Sequence, residues 1–328
     1  MSNPFDQTVI AVIWDFDKTL ISDYMQKPIF DHYNVDGKEF WEEVNNLEAE
    51  YKRRHPDIRI NRDTIYLNHM LTCVQQGIFA GLNNRKLREF GSQLAFYPGM
   101  PEFLGETKRI IEEDERFKPY SIKVEHYIVS TGLADMIRGS KVMPFVDGIW
   151  GCEFIEDVVK SNLDVKEYVK KDRNAPKEER VITQIGYAVD NTSKTRAIFE
   201  INKGANKKPA IDVNSFMPHD NRRVPFDQMI YVADGPSDVP AFSILRQHGG
   251  STFAVYPKGK LKEFKQVDQL RKDGRIDMYG EADYTPHSTT YMWLINRMQE
   301  IAETIVQRKE AAIHQSVSNP PTHISSEN

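Results

Sequence analysis

The chain has 328 residues, 40% of them hydrophobic and 28% charged, with a net charge of −5. That composition fits a globular chain rather than a disordered or fibrous one, and it offers no general attraction to nucleic acid or to an anionic membrane. Its two cysteines, Cys73 and Cys152, lie in unrelated segments without a CxxC or Cys/His pattern, against a disulfide framework or a zinc site.

The start, MSNPFDQTVIAVIWDFD, lacks a basic leader, and no run reaches the ~18 apolar residues of a membrane helix, so a cytoplasmic location is expected. Val9 to Trp14 (VIAVIW) reads as a buried β-branched strand. Residues 22–96 are helix-rich, aromatic and charged, and close on Tyr97-Pro98-Gly99-Met100-Pro101, which predicts an inserted helical cap with a hinge at its exit. Aromatics such as Tyr24, Phe30, Tyr33, Phe40 and Trp41 fall at near-helical spacings there, which favours a cap core over a pocket lining. Helix is predicted from Met100 to Glu112, then strand from His126 to Ser130 and helix from Ala134 to Arg138. Residues 156–190 form a second insertion with a charged middle (KKDRNAPKEER) followed by VITQIGYAV, a pattern suggesting a β-hairpin or flap. Lys194 to Lys203 reads as helix, 204–227 as a Pro/Asn/Asp-rich loop, Met229 to Ala233 as strand, Val239 to Gln247 as helix and Thr252 to Tyr256 as strand. Tyr291 to Val306 carries apolar residues at helical spacing, and the polar stretch 309–328 is expected to be a disordered tail. Alternating strands and helices predict a Rossmann-like, doubly wound α/β core (1–21 and 97–308) with the cap at 22–96.

In such sheets ligands sit beyond the carboxyl ends of the strands, and polar residues fall there. Asp15 and Asp17, in DFDKTL after the first strand, can converge on one cleft, one attacking phosphorus while the other moves a proton. Alone, the pair also fits a solvated turn. Asp234 and Asp238, in DGPSD after MIYVA, supply the hard oxygens that Mg²⁺ prefers, although an acidic helix cap would look the same. Ser130-Thr131-Gly132 ends its strand with hydroxyls and free backbone N–H groups suited to phosphate oxygens. Lys194 opens a helix, where the dipole disfavours a cation, so a local anion would explain it.

In that order, DFDKTL, STG, Lys194 and DGPSD resemble the four motifs of the haloacid dehalogenase-like hydrolases, most closely the phosphoserine-phosphatase-type branch, over residues 9–21 and 97–256. The resemblance implies that Asp15 is a nucleophile forming an aspartyl-phosphate and that Asp17 is the general acid and base. It implies that Ser130 and Thr131 hold the phosphoryl group, that Lys194 neutralises it, and that Asp15, Asp17, Asp234 and Asp238 form the Mg²⁺ site. An acid two positions after the nucleophile separates this chain from the carbon–halide-cleaving members. Phosphoserine phosphatases carry a cap glutamate nine positions after the nucleophile, and Tyr24 stands there, so the resemblance leaves the substrate open. The expected activity is hydrolysis of a small phosphorylated metabolite, with neither nucleic acid nor membrane as partner. A phosphotransferase of the same fold and a non-catalytic phospholigand sensor are the alternatives, and the oligomeric state stays open.

Overall fold

The computed structural model describes residues 5–156 and 180–318. Its centre is a seven-stranded sheet in the order β4-β3-β2-β1-β5-β6-β7. The strands are β1 (Val9–Trp14), β2 (Lys123–Leu133), β3 (Gly148–Ile155), β4 (Gln184–Tyr187), β5 (Met229–Ala233), β6 (Ser251–Tyr256) and β7 (Met278–Glu281). All neighbours run parallel except β4, which is antiparallel to β3.

The expected doubly wound α/β core is therefore present, and the side-chain period explains why its strands read as continuous apolar runs. Ile10, Val12 and Trp14 of β1 face one core while Ala11 and Ile13 face the other, and both sets are buried. On the first face lie α5 (Glu102–Glu112) and α10 (Thr289–Ser318), through Phe103, Leu104, Leu294 and Met298. On the second lie α7 (Lys194–Lys203), α8 (Val239–Gln247) and α9 (Leu261–Lys272), through Ile198, Ile201, Phe242 and Val267. The chain leaves β1 for β2 on one side and returns to β5 on the other, so the strand order reverses at β1. That reversal opens a crevice at the carboxyl ends of β1 and β5.

The segment between β1 and α5 forms four helices, α1 (Lys27–Tyr33), α2 (Gly37–Arg54), α3 (Ile65–Gln75) and α4 (Asn84–Gly91). Phe30, Phe40 and Phe79 are buried among them, their rings 4.8 to 6.4 Å apart by centroid. Helix α4 is pressed onto α6 (Ala134–Gly139) of the core at backbone contact. A Cβ on Gly91 would stand 2.0 Å from the Met136 carbonyl oxygen, and one on Gly139 would stand 1.9 Å from that of Arg88. The glycines are thus reciprocal, each making room for the other helix's backbone.

Several elements differ from, or extend, the sequence reading. β4 pairs antiparallel with β3, and residues 157–179, on which the rest of the hairpin or flap expected at 156–190 falls, lie outside those described. β3, β7 and α9 have no counterpart among the predicted elements: β3 (GIWGCEFI) and β7 (MYGE) carry glycines that dilute a strand signal. Helix α10 continues through Ser318, past the Lys309 at which the tail was expected to begin, and residues 319–328 lie outside those described.

Candidate active site

Asp15 is the last residue that the sheet holds directly: its N–H donates to the Val232 carbonyl at 2.9 Å, extending the β1–β5 pairing by one step. The chain then turns back sharply, with the Leu20 N–H donating to the Phe16 carbonyl at 2.9 Å and Lys18 in the left-handed region at φ 57°. Such a conformation in a lysine costs of order 1 kcal/mol and persists only where its surroundings impose it. Tyr284 helps impose it, its hydroxyl donating to the Thr19 carbonyl at 2.7 Å from the far side of the core. Asp17 faces the crevice beside Asp15, and its Oδ1 accepts the Met25 N–H at 3.1 Å.

Lys194 is the electrostatic hub. It is 1% exposed, and its Nζ donates to Asp15 Oδ1 and to Asp238 Oδ1, each at 2.7 Å. Burial pulls its pKa down, but the two carboxylates outweigh that and hold it above its ordinary value. Asp238 is held in turn by the Tyr231 hydroxyl at 2.7 Å on Oδ1 and the Ser237 hydroxyl at 2.9 Å on Oδ2. A buried cation between two buried carboxylates is a costly arrangement unless the remaining lone pairs find donors, which Tyr231 and Ser237 provide.

The acids on the open side are less fully compensated, Asp15 sharing the Lys194 ammonium with Asp238. Burial, with Asp238 nearby and against the pull of Lys194, raises Asp15 to about 6. Burial and the charges of Asp15 and Asp238 raise Asp234 to about 7. Asp17 is pushed well above the usual carboxylate range by burial first and by Asp15 second. One oxygen each from Asp15, Asp234 and Asp238 lies within 4.8 Å of the others. Three hard carboxylate oxygens this close together suit a small divalent cation such as Mg²⁺.

Asp15, Asp17, Ser130, Thr131, Lys194 and Asp234, all singled out from the sequence, line one cavity of about 250 Å³. Ser130 is buried at the end of β2, its Oγ accepting the Gly132 N–H at 3.0 Å with the hydroxyl proton left to donate. Asp238 is placed differently: fully buried, it stands behind Lys194 instead of on the cavity wall. The Thr131 carbonyl is taken by the Tyr66 hydroxyl of the cap at 2.7 Å, which ties α3 to the end of β2.

The same wall contains Tyr24, which its spacing had assigned to the cap core, and residues that sequence reasoning did not single out. Tyr24, 42% exposed, lines the cavity beneath the Lys18 ammonium, which sits 3.9 Å from its ring centroid. Burial lowers the Lys18 pKa, but Tyr24, Asp234 and Asp17 together raise it, so the lysine stays charged beside the acids. Asp63, from the cap loop before α3, Asn191, from the loop before α7, and Ser237 complete the wall. Tyr231 was legible only as one of the apolar residues of MIYVA. Its inward phase in the strand could have suggested a buried hydroxyl in need of a partner.

No family model matches the chain. A Borreliella burgdorferi protein described as uncharacterized is 37% identical over 295 residues, spanning 89% of this chain and 97% of its own. Among solved structures, a hydrolase of the HAD family from Salmonella enterica serovar Typhi shares 13% identity at a TM-score of 0.47, over 84% of this chain and 68% of its own. A probable phosphoserine phosphatase from Vibrio cholerae shares 12% at 0.47, over 94% and 68%. A phosphoserine phosphatase solved as a phospho-aspartyl intermediate analogue shares 14% at 0.44, over 83% and 93%. Likenesses of this size carry no argument about what the site does, which must be read from its own residues.

Proposed function

We propose that this chain, which belongs to one family with the Borreliella burgdorferi protein, is a haloacid dehalogenase-like phosphohydrolase that cleaves a small phosphomonoester through an aspartyl-phosphate on Asp15. The observation that carries this reading is the buried Asp15–Lys194–Asp238 chain at one end of a cavity whose other acids are raised in pKa. Lys194 holds Oδ1 of Asp15, leaving Oδ2, to which the Thr19 hydroxyl donates only at 3.4 Å, as the freer oxygen to attack phosphorus.

Attack forms the Asp15–phosphorus bond and breaks the bond from phosphorus to the leaving alcohol oxygen. Burial and the neighbouring Asp15 charge favour the protonated form of Asp17, which gives that oxygen its proton. Water then attacks phosphorus, Asp17 takes the water's proton, and Asp15 is released as carboxylate with inorganic phosphate as product. The Ser130 hydroxyl and the Lys194 ammonium stabilise the transferred group's oxygens. Asp15, Asp234 and the backbone carbonyl of Asp17 would hold Mg²⁺, with Asp238 behind them. When bound, the ion would supply charge neutralisation of the transferring phosphoryl group.

Phosphate release from a panel of metabolite phosphomonoesters tests this, with Mg²⁺, with EDTA and with Asp15→Asn. Release that requires Mg²⁺ and disappears in the variant is expected. Turnover that persists in Asp15→Asn would remove Asp15 from the role given to it here.

A further inference from the structure

Met25 is fully buried between β1 and α1, yet it makes two polar contacts, and both go to the candidate active site. Its backbone N–H donates to Asp17 Oδ1 at 3.1 Å. Its thioether sulfur accepts the Leu133 N–H at 2.9 Å, at the end of β2 just past Ser130, Thr131 and Gly132. One residue therefore bridges the acid that would serve the leaving oxygen and the turn that would hold the phosphoryl oxygens.

The fold makes room for this bridge from both sides. The pairing of β2 with β3 shifts register between Val129 and Leu133, so the chain leaves regular pairing just where the Leu133 N–H turns to sulfur. A Cβ on Gly132 would stand 2.2 Å from Met25 Cε and 2.6 Å from Sδ, so the thioether can lie against this turn only because a glycine is there. Thioether sulfur is a weak acceptor, and the close fit is what keeps the two partners together. Among the described residues, the Met25 N–H is the sole hydrogen-bond donor to the Asp17 carboxyl. With Oδ1 taken, Oδ2 is the oxygen left to face the leaving group. Its direction depends on how the carboxyl is turned, and a displacement of about 1 Å can cost about 10²-fold in rate.

Resting on the phosphohydrolase reading above, we infer that Met25 is a positioning residue: its N–H and its sulfur together fix the Asp17 carboxyl relative to the Ser130–Gly132 turn, so that Oδ2 is held at the leaving oxygen. The proton that passes from Oδ2 to that oxygen as the phosphorus–oxygen bond breaks then has a short, fixed path. Loss of the sulfur frees the Met25 backbone to drift, and the acid drifts with it. A Met25 that only filled space would affect all leaving groups alike.

The test compares phenyl phosphate with p-nitrophenyl phosphate, with Mg²⁺, in the wild type, Met25→Leu and Asp17→Asn. The two esters present the same ring, but nitrophenolate departs readily as the anion, whereas phenolate is far more basic and needs the proton. Met25→Leu conserves volume and removes only the sulfur acceptor. It is expected to lower kcat for phenyl phosphate by about tenfold, part of the roughly 10²- to 10⁴-fold that a placed general acid supplies, and to leave p-nitrophenyl phosphate within about threefold. Asp17→Asn should show the same selectivity more strongly. Equal losses on both esters, or no change on either, overturn the inference. Amide hydrogen exchange followed by NMR reads the bridge without turnover. Met25→Leu should speed exchange about tenfold both at Leu133 and at the amide of position 25, the one bonded to Asp17. If the wild type cleaves neither ester while both amides lose protection, the hydrolase reading falls and the bridge stands. Unchanged protection at position 25 overturns the inference whatever the kinetics.

Discussion

His126 gives the fold a built-in acid sensitivity whose size can be worked from its contacts. The ring is fully buried in β2. Trp14 Nε1 donates to its Nδ1 at 3.1 Å, so that nitrogen is an acceptor and carries no proton. Nε2 lies 2.8 Å from the Thr107 hydroxyl and 3.1 Å from the Leu104 carbonyl, which fixes the proton there. Protonating Nδ1 would break the Trp14 bond and bury a charge. Burial first, and the Lys108 charge second, lower the pKa from 6.5 to about 3. The unfolded chain therefore binds a proton in this window that the folded chain refuses. The stabilisation is complete above about pH 6.5 and is lost as the pH falls toward 3. At about pH 5 the loss is about 2 kcal/mol, at 1.36 kcal/mol per unit of pH below 6.5. Asp15, Asp17 and Asp234, raised by burial, bind protons more readily in the fold and push stability the other way, so wild type alone is ambiguous. His126→Asn keeps an amide oxygen for Trp14 and does not titrate. In urea unfolding followed by tryptophan fluorescence, its stability deficit relative to wild type should shrink by about 2 kcal/mol between about pH 7 and about pH 5. A deficit that stays constant across that range would mean that His126 is not held neutral, and the reasoning from its contacts would be wrong.

Lys194→Met should abolish turnover and, by leaving two carboxylates buried without their cation, destabilise the protein by about 3 to 5 kcal/mol in denaturant melts; a variant as stable as wild type would contradict the hub assigned to this lysine. Tyr231→Phe removes one of the three donors to Asp238 and should cost about 1 kcal/mol by the same melts, with activity reduced and not lost. Gly139→Ala forces the α4–α6 contact apart and should cost about 1 to 3 kcal/mol, whereas Gly77→Ala, where a Cβ meets nothing within 4 Å, should be strained only by its backbone. In hydrogen exchange, amides of α4 should protect like the core helices, while residues 55–64 exchange by local opening.

The site was legible in the sequence because its acids and lysine sit at the ends of parallel strands or the start of a helix, where local apolar runs mark the boundary. VIAVIW before Asp15 and MIYVA before Asp234 are such runs, and the fold brings them side by side as β1 and β5. What was not legible depends on pairing across long stretches of chain. Asp63 reaches the cavity only because α3 docks by Tyr66 on Thr131, and because Asn61 meets Asp190, 129 positions away. Nothing local in NRDT distinguishes that aspartate from a helix-start acid on a solvated turn. Tyr24 was grouped with the cap aromatics by its spacing, and it departs from Phe30 and Phe40 because it precedes α1, where helical phase has no hold on it.

The hinge expected at the exit of the cap can be sharpened in the same terms. Swinging all of residues 22–96 away from the core would separate Gly91 from Met136 and Gly139 from Arg88, where the backbones touch, and would break the pairing of Arg88 with Asp135 at 2.8 Å. Lifting only the part before α4 breaks the Tyr66–Thr131, Asn61–Asp190 and Asp63–Asn191 bonds, each worth about 1 kcal/mol net, and leaves the helix contact intact. The second route also breaks the Met25 contacts with Asp17 and Leu133 and uncovers the buried Tyr66, Leu67 and Met70, so apolar packing holds this part of the cap as well as these bonds do. Helix α4 therefore belongs mechanically to the core, its backbone set against that of α6 at Gly91 and Gly139.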